Sequence, residues 1–593
     1  MEVQIGSRVG SPHEHNQAGK QLAIWTENDI SLNFHLKKVK QQSMPPAYIK
    51  KLLRIPAWGW GVLSGLAIGF GSQAENTGFF WLFALFPLFL LFDRFSSFSL
   101  KKKVTQTFLT CYGVGAIGAT ISAPYMIHSI NVFGHLPWGV AVFITFFVFG
   151  LEAGLTFFVL FGIPTLVIKR IDGWDIPVRL FYFLLLEPFY PKFFPWSLGG
   201  LTFSEVSWIA QTADLVGSWG LGLYAAGCNF LLLMVWRQKT NPSHAQKKLG
   251  LHLTKLFSLL LILGIVYGGW RGTQLQAQIL EGEFLQIAAI QPNFSLQQLA
   301  SNPDLAFSKR KRNIRSLLQD SKQALAKFPN NSKIPKLVVW PESVYPFPFF
   351  KDQQGRRFVE NFAREEQSSI LLSTIDWENT EDGDQQIYGI SVLIGEDGKV
   401  KGRYNKIYLM PFGEFIPGAE IFPAYHRWIK NMVPMISEFT AGKEYTVYQI
   451  ANNLRFSGAI CFDAFSSEIF RNMVRNGAEL IVNLSNLAWF GKTNASAHME
   501  LMNRWHAIEN RVPFLYISNN GETMFLNPMG VKMSKSLDLF VQGSLSETIP
   551  LQRHYSFFRE HKEWLQGGVL ILLLLTAILG QWQGKIFTRP NRN

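Results

Sequence analysis

Four ionisable side chains stand at or beyond the ends of strand-like stretches. KLVVWPES stops at Trp340 and Pro341 and then presents Glu342. GRYNKIYLMPFGEFIP offers Lys406 and, eight residues on, Glu414, while GAICFDAF closes an apolar run with Cys461. Catalytic groups commonly project from loops at the ends of rigid strands. A thiol attacks a carbonyl as its thiolate and needs a base or a cation beside it. A glutamate can take the thiol proton and later activate an amine or a water. A lysine ammonium and the backbone N–H just after the nucleophile, here that of Phe462, can hold an oxyanion. Glu, Lys and Cys are thus a complete set for acyl transfer. Each alone also has a plainer reading, as a surface carboxylate, a surface lysine or a core cysteine. Cys111 and Cys228 lie in apolar runs, where a thiol is a small hydrophobe. The three cysteines form no CxxC or Cys/His cluster, so no disulfide framework, metal or other cofactor is expected.

The words around these residues resemble the nitrilase (carbon–nitrogen hydrolase) superfamily and, within it, the apolipoprotein N-acyltransferase family. The phrases are WPES (Trp340–Ser343), YNK and PFGEFIP between Tyr404 and Pro417, ICFD around Cys461, and SNLAWFG (Ser485–Gly491). RWHAIENRVP (Arg504–Pro513) and SNNG (Ser518–Gly521) continue the match. The resemblance covers nearly everything after residue 50. It implies Glu342 as general base, Lys406 as oxyanion stabiliser and Cys461 as the nucleophile that becomes a thioester, with Glu414 orienting Lys406. Asp463 stands where the family usually has Glu, and Phe462 where it has Tyr. Leu487 replaces a usual Asp, Tyr388-Gly389 replaces Tyr-Asn, and the segment after QPN reads FSLQQLAS. These departures leave the triad residue types in place and bear on substrate preference.

Something must hold such a set, and the composition says what. The 593 residues are 48% hydrophobic and only 17% charged, against about 25% charged in ordinary soluble domains. Apolar runs at 57–73, 79–97, 105–127, 137–168, 174–190, 217–236, 252–270 and 564–582 approach the ~20 residues that cross a bilayer. The fourth is long enough to tilt or kink near Gly150 and Gly154. Lys and Arg collect in alternate connections: Lys101–Lys103, then Lys169 and Arg170, then Lys247 and Lys248, with Lys37–Lys51 before the first run and Lys585–Arg592 after the last. That alternation predicts eight transmembrane helices with both termini cytoplasmic. The formal charge of +14 is then largely an orienting charge, and a nucleic-acid partner loses its main support.

The expected domains are a flexible cytoplasmic tail at 1–50, seven transmembrane helices within 51–270, a catalytic block at 283–552 and an eighth helix at 564–584. The block alternates apolar strands with helical stretches at 304–327, 356–367, 465–476 and 496–510, which predicts an α/β domain. The resemblance makes it a nitrilase-like αββα sandwich on the extracytoplasmic side of a polytopic α-helical membrane domain. Glu187, in FLLLEPFY, is a carboxylate in an apolar run and a candidate for the lipid or substrate path; Glu152 reads more simply as a structural pair. VYPFPFF and PAYHRW are either loops in the lipid interface or ordinary core.

The leading expectation is a monomeric enzyme of the bacterial inner membrane with a periplasmic catalytic domain. It would move an acyl chain from a phospholipid to Cys461 and then to the α-amine of a lipoprotein's S-diacylglyceryl cysteine. A membrane-tethered amidase and a catalytically impaired paralogue that binds lipid or lipoprotein remain alternatives. A transporter has no use for this placement of a thiol.

Overall fold

The computed structural model describes residues 55–587 apart from 75, 169–172, 193–196, 204–207, 241–243, 279–281, 296–302, 330–331, 346, 380–382, 384 and 433–435. The expected 1–50 tail, the Lys169–Arg170 connection and most of FSLQQLAS lie outside the described residues. From Pro56 onward the chain packs as one unit.

Every one of the predicted apolar runs is helical. In chain order they are α1 (Ala57–Gly71), α2 (Gly78–Ser97), α3 (Leu100–Ser122), then α4 (Pro124–Val132) as an added short helix. There follow α5 (Trp138–Val167), α6 (Asp175–Leu186), α7 (Ile209–Gly220), α8 (Gly222–Thr240), α9 (His244–Gln278) and, after the catalytic block, α15 (Phe557–Phe587). Among the described residues α2, α5, α9 and α15 are long and apolar enough to cross a bilayer, and α7 with α8, bent by 76°, makes a fifth candidate. The other runs fall short for visible reasons. α1 has 15 residues, α6 has 12, and α3 opens on Lys101–Lys103. In α5 the expected kink is a pair of π-helical segments, Thr145–Phe149 and Phe158–Gly162, flanking Gly150 and Gly154. At the α3–α5 crossing a Cβ on Gly115 would lie 2.4 Å from the Gly154 nitrogen. Only small residues let the two backbones approach that closely.

The block between α9 and α15 contains two sheets. Six strands run in the order β11-β1-β2-β3-β4-β5, and five in the order β10-β9-β8-β7-β6. The first sheet comprises β1 (Glu283–Gln291), β2 (Lys336–Val339), β3 (Ser369–Asn379), β4 (Gln385–Ile394), β5 (Val400–Asn405) and β11 (Gly543–Leu551). The second comprises β6 (Tyr448–Gln449), β7 (Arg455–Ile460), β8 (Ile481–Ser485), β9 (Phe514–Ser518) and β10 (Met524–Leu526). β1–β2–β3 and β7–β8–β9 are parallel, and all six of these strands are almost wholly buried over their paired stretches. That explains their continuous apolar sequences. The sheets meet face to face: Ser391 on β4 donates to the Gly458 carbonyl on β7 at 2.8 Å, and Gly458 leaves Leu371 of β3 room to pack.

Helices α10 (Pro303–Leu325) and α11 (Gln353–Glu365) cover the first sheet through a core that includes Ile314, Leu317, Val359, Val338 and Ile370. α13 (Ser467–Arg475) and α14 (Ala495–Asn510) cover the second, with Phe470 stacked on His506 near Phe514. The remaining helix of the block, α12 (Pro423–Met432), leaves Trp428 exposed beside Ile421 and Phe422.

A buried charge cluster joins this block to the membrane half. Arg511 donates to Asp214 Oδ2 at 2.9 Å, to Gln211 Oε1 at 2.7 Å, to the Gln211 carbonyl at 2.8 Å and to the Pro528 carbonyl at 3.0 Å. Arg271 of α9 and Tyr267 bond the same aspartate. The bent α7 is therefore clamped to the catalytic block by paired charges rather than by apolar contact alone.

Candidate active site

The site is built on the ends of β2 in one sheet and of β7 and β8, which run parallel, in the other. β2 gives way at Trp340, which donates its ring N–H to Ser321 of α10 at 2.9 Å and anchors the turn that presents Glu342. The next residue, Ser343, has φ 61°. β7 ends at Ile460, and Cys461 opens a single helical turn, Cys461–Phe465, at φ 46°. A left-handed backbone costs a side-chain-bearing residue about 1 kcal/mol or more, and such strain collects at functional sites. From the end of β8, Ser485 donates to Cys461 Sγ at 3.6 Å. Lys406 follows β5, with its N–H bonded to the Gly389 carbonyl at 2.9 Å and its carbonyl accepting from Gly442 N at 2.7 Å.

These elements bring the predicted residues together. Lys406 Nζ lies 2.6 Å from Glu414 Oε1 and 3.4 Å from Glu342 Oε1, and Glu342 is close enough to Cys461 for its charge to act on the thiol. The second oxygen of Glu414 accepts from Met410 N at 2.8 Å, so the carboxylate that holds the ammonium is itself held by its own loop. Burial alone would lower the Lys406 ammonium, but Glu414 and Glu342 outweigh it and keep the group above the usual lysine range. Burial first, then the Glu414 charge, raises Glu342 above an ordinary carboxylate against the pull of Lys406. Burial and the Glu342 charge likewise push the Cys461 thiol up. The resting site therefore holds a neutral thiol beside a carboxylate that is more basic than usual.

Asp463 is fully buried and ties two loops into one. Its Oδ2 accepts from Tyr404 Oη at 2.8 Å and from Ile460 N at 2.9 Å, while Oδ1 accepts from Tyr408 N at 2.8 Å and Ile407 N at 3.2 Å. Burial pushes its carboxyl up to about 6 in spite of Lys406 and these donors. Asp463 thus fixes the entry to the Cys461 turn against the strand exit that carries Lys406. Phe462 stacks on Tyr408 at 5.6 Å between ring centroids and 7° between planes, which reinforces the same junction.

Residues 288–557 match the carbon–nitrogen hydrolase family model, and residues 64–231 match the apolipoprotein N-acyltransferase N-terminal domain. The apolipoprotein N-acyltransferase of Geobacter metallireducens is 27% identical over 448 residues, which is 73% of this chain and 79% of that one. That of Bdellovibrio bacteriovorus is 27% identical over 564 residues, 90% of this chain and 95% of the relative. The chain belongs to the apolipoprotein N-acyltransferase family. Among solved structures, an amidase from Nesterenkonia sp. matches 49% of this chain and 98% of its own at 15% identity with a TM-score of 0.35.

The departures from the family's usual words lie next to this site without breaking it. Leu487 is buried and packs on Gly521, at the start of the turn Ala488–Phe490. Gly389 lies against the aliphatic stem of Lys406 and against Phe439, where a Cβ would meet atoms no closer than 3.6 Å. Glu187 is placed elsewhere. It is buried at the end of α6, accepts from Leu198 N at 2.6 Å and pairs with Lys192 at 3.7 Å. With Glu152 and His498 it lines a mainly apolar cavity of about 150 Å³ in the membrane half. Sequence reasoning gave no role to Ser485, Tyr404 or His506. Ser485 closes the largely apolar β8, but Tyr404 lies in the polar strand VKGRYN and His506 on a helix rich in polar residues, so no local signal marks those two.

Proposed function

We propose that this chain is an apolipoprotein N-acyltransferase acting through Glu342, Lys406 and Cys461. Glu342 takes the thiol proton as Cys461 Sγ bonds to the ester carbonyl carbon of a phospholipid. Lys406 Nζ and the Phe462 N–H face the oxyanion that forms. Collapse breaks the C–O bond, the departing glycerol oxygen receives the proton from Glu342, and lysophospholipid leaves a thioester on Cys461. The α-amine of a lipoprotein's S-diacylglyceryl cysteine then attacks the thioester carbon. Glu342 takes a proton from that nitrogen, the C–S bond breaks, and the same proton returns to sulfur as the amide leaves. A base of raised pKa is suited to both halves, because it accepts and returns one proton near neutral pH.

The observation that carries this reading is the gathering of Lys406, Glu342 and Cys461 at one buried site in a chain whose relatives are named for the activity. Both substrates are amphiphiles that stay in a bilayer, which gives the helical frame its purpose. We read the eight helical runs as eight crossings that hold the catalytic block on the periplasmic face of the inner membrane, with both ends cytoplasmic and the chain monomeric. In the same reading the cavity at Glu187 lies on the lipid's approach. Leu487 and Gly389 leave the cluster's geometry intact, which favours an active enzyme over an impaired paralogue. Mass spectrometry after exposure to phospholipid tests the proposal. Wild type should gain one acyl mass on the peptide that holds Cys461, and Cys461→Ser should gain no thioester. An unlabelled wild type, or label on another residue, would sink it.

A further inference from the structure

The turn that carries Cys461 is held from behind as well as from the active-site side. His506 sits on α14 at 4% exposure, with its ring stacked on Phe470 at 4.2 Å. Its Nε2 lies 2.6 Å from the Ala464 carbonyl, inside the Cys461–Phe465 turn. A carbonyl can only accept, so Nε2 carries the proton. The other ring nitrogen, Nδ1, lies 3.7 Å from Glu509 Oε2, one turn along the same helix.

Glu509 is itself fully engaged. Its Oε2 accepts from Ser467 Oγ at 2.7 Å, at the start of α13, and its Oε1 accepts from Ser218 N at 2.7 Å. Burial would raise this carboxyl, but His506 and these donors hold it below the usual range. Ser218 lies in α7 beside Gly217, whose φ of 70° breaks the helix just before the 76° bend. Hydrogen bonds thus run from the bend of the broken membrane helix to Glu509, and from His506, whose Nδ1 faces Glu509 without a hydrogen bond, to the nucleophile's own turn.

We infer that His506 is a positioning residue for the nucleophile. Its Nε2–H bond to Ala464 fixes the turn that aims Cys461, and Glu509 ties the same end of α14 to the membrane half through Ser218. The inference rests on the acyl-transfer reading for its purpose but not for its geometry. Removing the donor should let the turn relax from the left-handed conformation at Cys461, because His506 grips that turn by the Ala464 carbonyl. The thiol would then miss the line between Glu342 and the carbonyl it attacks, and a misplacement of about 1 Å can cost a hundredfold in rate.

Two substitutions of similar polarity separate this from general destabilisation. The amide of His506→Gln can place its nitrogen near the position of Nε2, whereas the shorter His506→Asn stops near Nδ1. Full-length protein in phospholipid nanodiscs would be followed by two rates: alkylation of Cys461 by iodoacetamide, and appearance of the acyl mass on Cys461. His506→Gln should keep both within about threefold of wild type. His506→Asn should lose about tenfold or more in both, with the half-saturating phospholipid concentration unchanged. Equal rates for the two variants would overturn the inference. A wild type that is alkylated but never acylated would count against the acyl-transfer reading, while the alkylation ratio of the two variants would still decide the role of His506.

Discussion

Two buried clusters in this chain pair a cation with carboxylates to opposite ends. At the junction, Arg511 spends every nitrogen on fixed acceptors: Asp214, both oxygens of Gln211 and the Pro528 carbonyl. At the site, Lys406 has one short bond to Glu414 and one long one to Glu342, and Glu342 also faces a thiol that is protonated at rest. The saturated cluster cannot change partners without breaking. The other can move a proton at little cost, because both carboxylates compete for one cation. Buried ion pairs are poor evidence of stability in themselves. What distinguishes a clamp from a reactive site is whether its hydrogen-bonding capacity is exhausted.

The comparison breaks if the clamp turns out to carry rate, or the site to carry stability. The largest stability effect should come from Arg511→Met, which leaves Asp214 with one fewer cation and the Gln211 and Pro528 carbonyls without their donor. A loss of about 3–5 kcal/mol is expected for removing one partner of a buried pair. It would be read as a lowered unfolding midpoint in detergent, while the alkylation rate of Cys461 in the folded fraction stays within about twofold of wild type. Lys406→Gln should do the reverse. It keeps a donor but removes the charge opposite the oxyanion, so acylation should fall about 10²–10³-fold. The midpoint should shift far less than in Arg511→Met, because Glu342 or Glu414 can take up a proton once the cation has gone. Equal losses of stability in the two variants would erase the distinction.

The sequence showed the site more clearly than the frame. Glu342 and Cys461 were legible because each follows a buried parallel strand, which reads as an uninterrupted apolar run, whereas Lys406 and Glu414 follow the polar antiparallel edge strand β5, VKGRYN, and were legible only through the phrases around them. β9 is a buried parallel strand as well, but β10 is a three-residue antiparallel strand, and β11 is a half-exposed strand, GSLSETIPL, with no such run. The helical runs were legible by composition, yet crossing length was not. α6 stops after 12 residues and the α7–α8 pair folds over at Gly217 and Gly220, where tertiary packing against Phe558 and the catalytic block decides the path. His506 and Glu509 were quoted within RWHAIENRVP without a role. Neither stands out on a helix rich in polar residues, and which carbonyl or amide they meet depends on contacts across more than 40 residues of sequence or nearly 300.

A smaller effect sharpens the account of the site from the acid side. Glu342 must be ionised to take the thiol proton, so activity falls as pH drops through its pKa. Glu414 is one of the causes that raise that pKa. Glu414→Gln removes the repulsion and should move the acid limb of the acylation profile to lower pH. The plateau should also drop about tenfold, since the ammonium loses its 2.6 Å anchor. A limb that moves to higher pH would show that Glu414 acts on Glu342 only through Lys406.

The smallest effect concerns a residue that departs from the family's words while touching the catalytic lysine. Gly389 lies inside β4, where the lack of a side chain costs roughly 0.5–1 kcal/mol relative to Ala. A Cβ there would meet Phe439 at 3.6 Å and the Lys406 stem at 3.7 Å, ordinary contact distances that require nothing to move. Gly389→Ala should therefore raise the unfolding midpoint slightly and leave acylation within about twofold, because Lys406 would gain a neighbour along its stem without losing either carboxylate. A rise in stability accompanied by a tenfold loss of rate would mean that the open space beside the stem is used. Lys406 would then have to shift as Glu342 gains and returns its proton, and the contrast with the fully engaged Arg511 would extend from charge to packing.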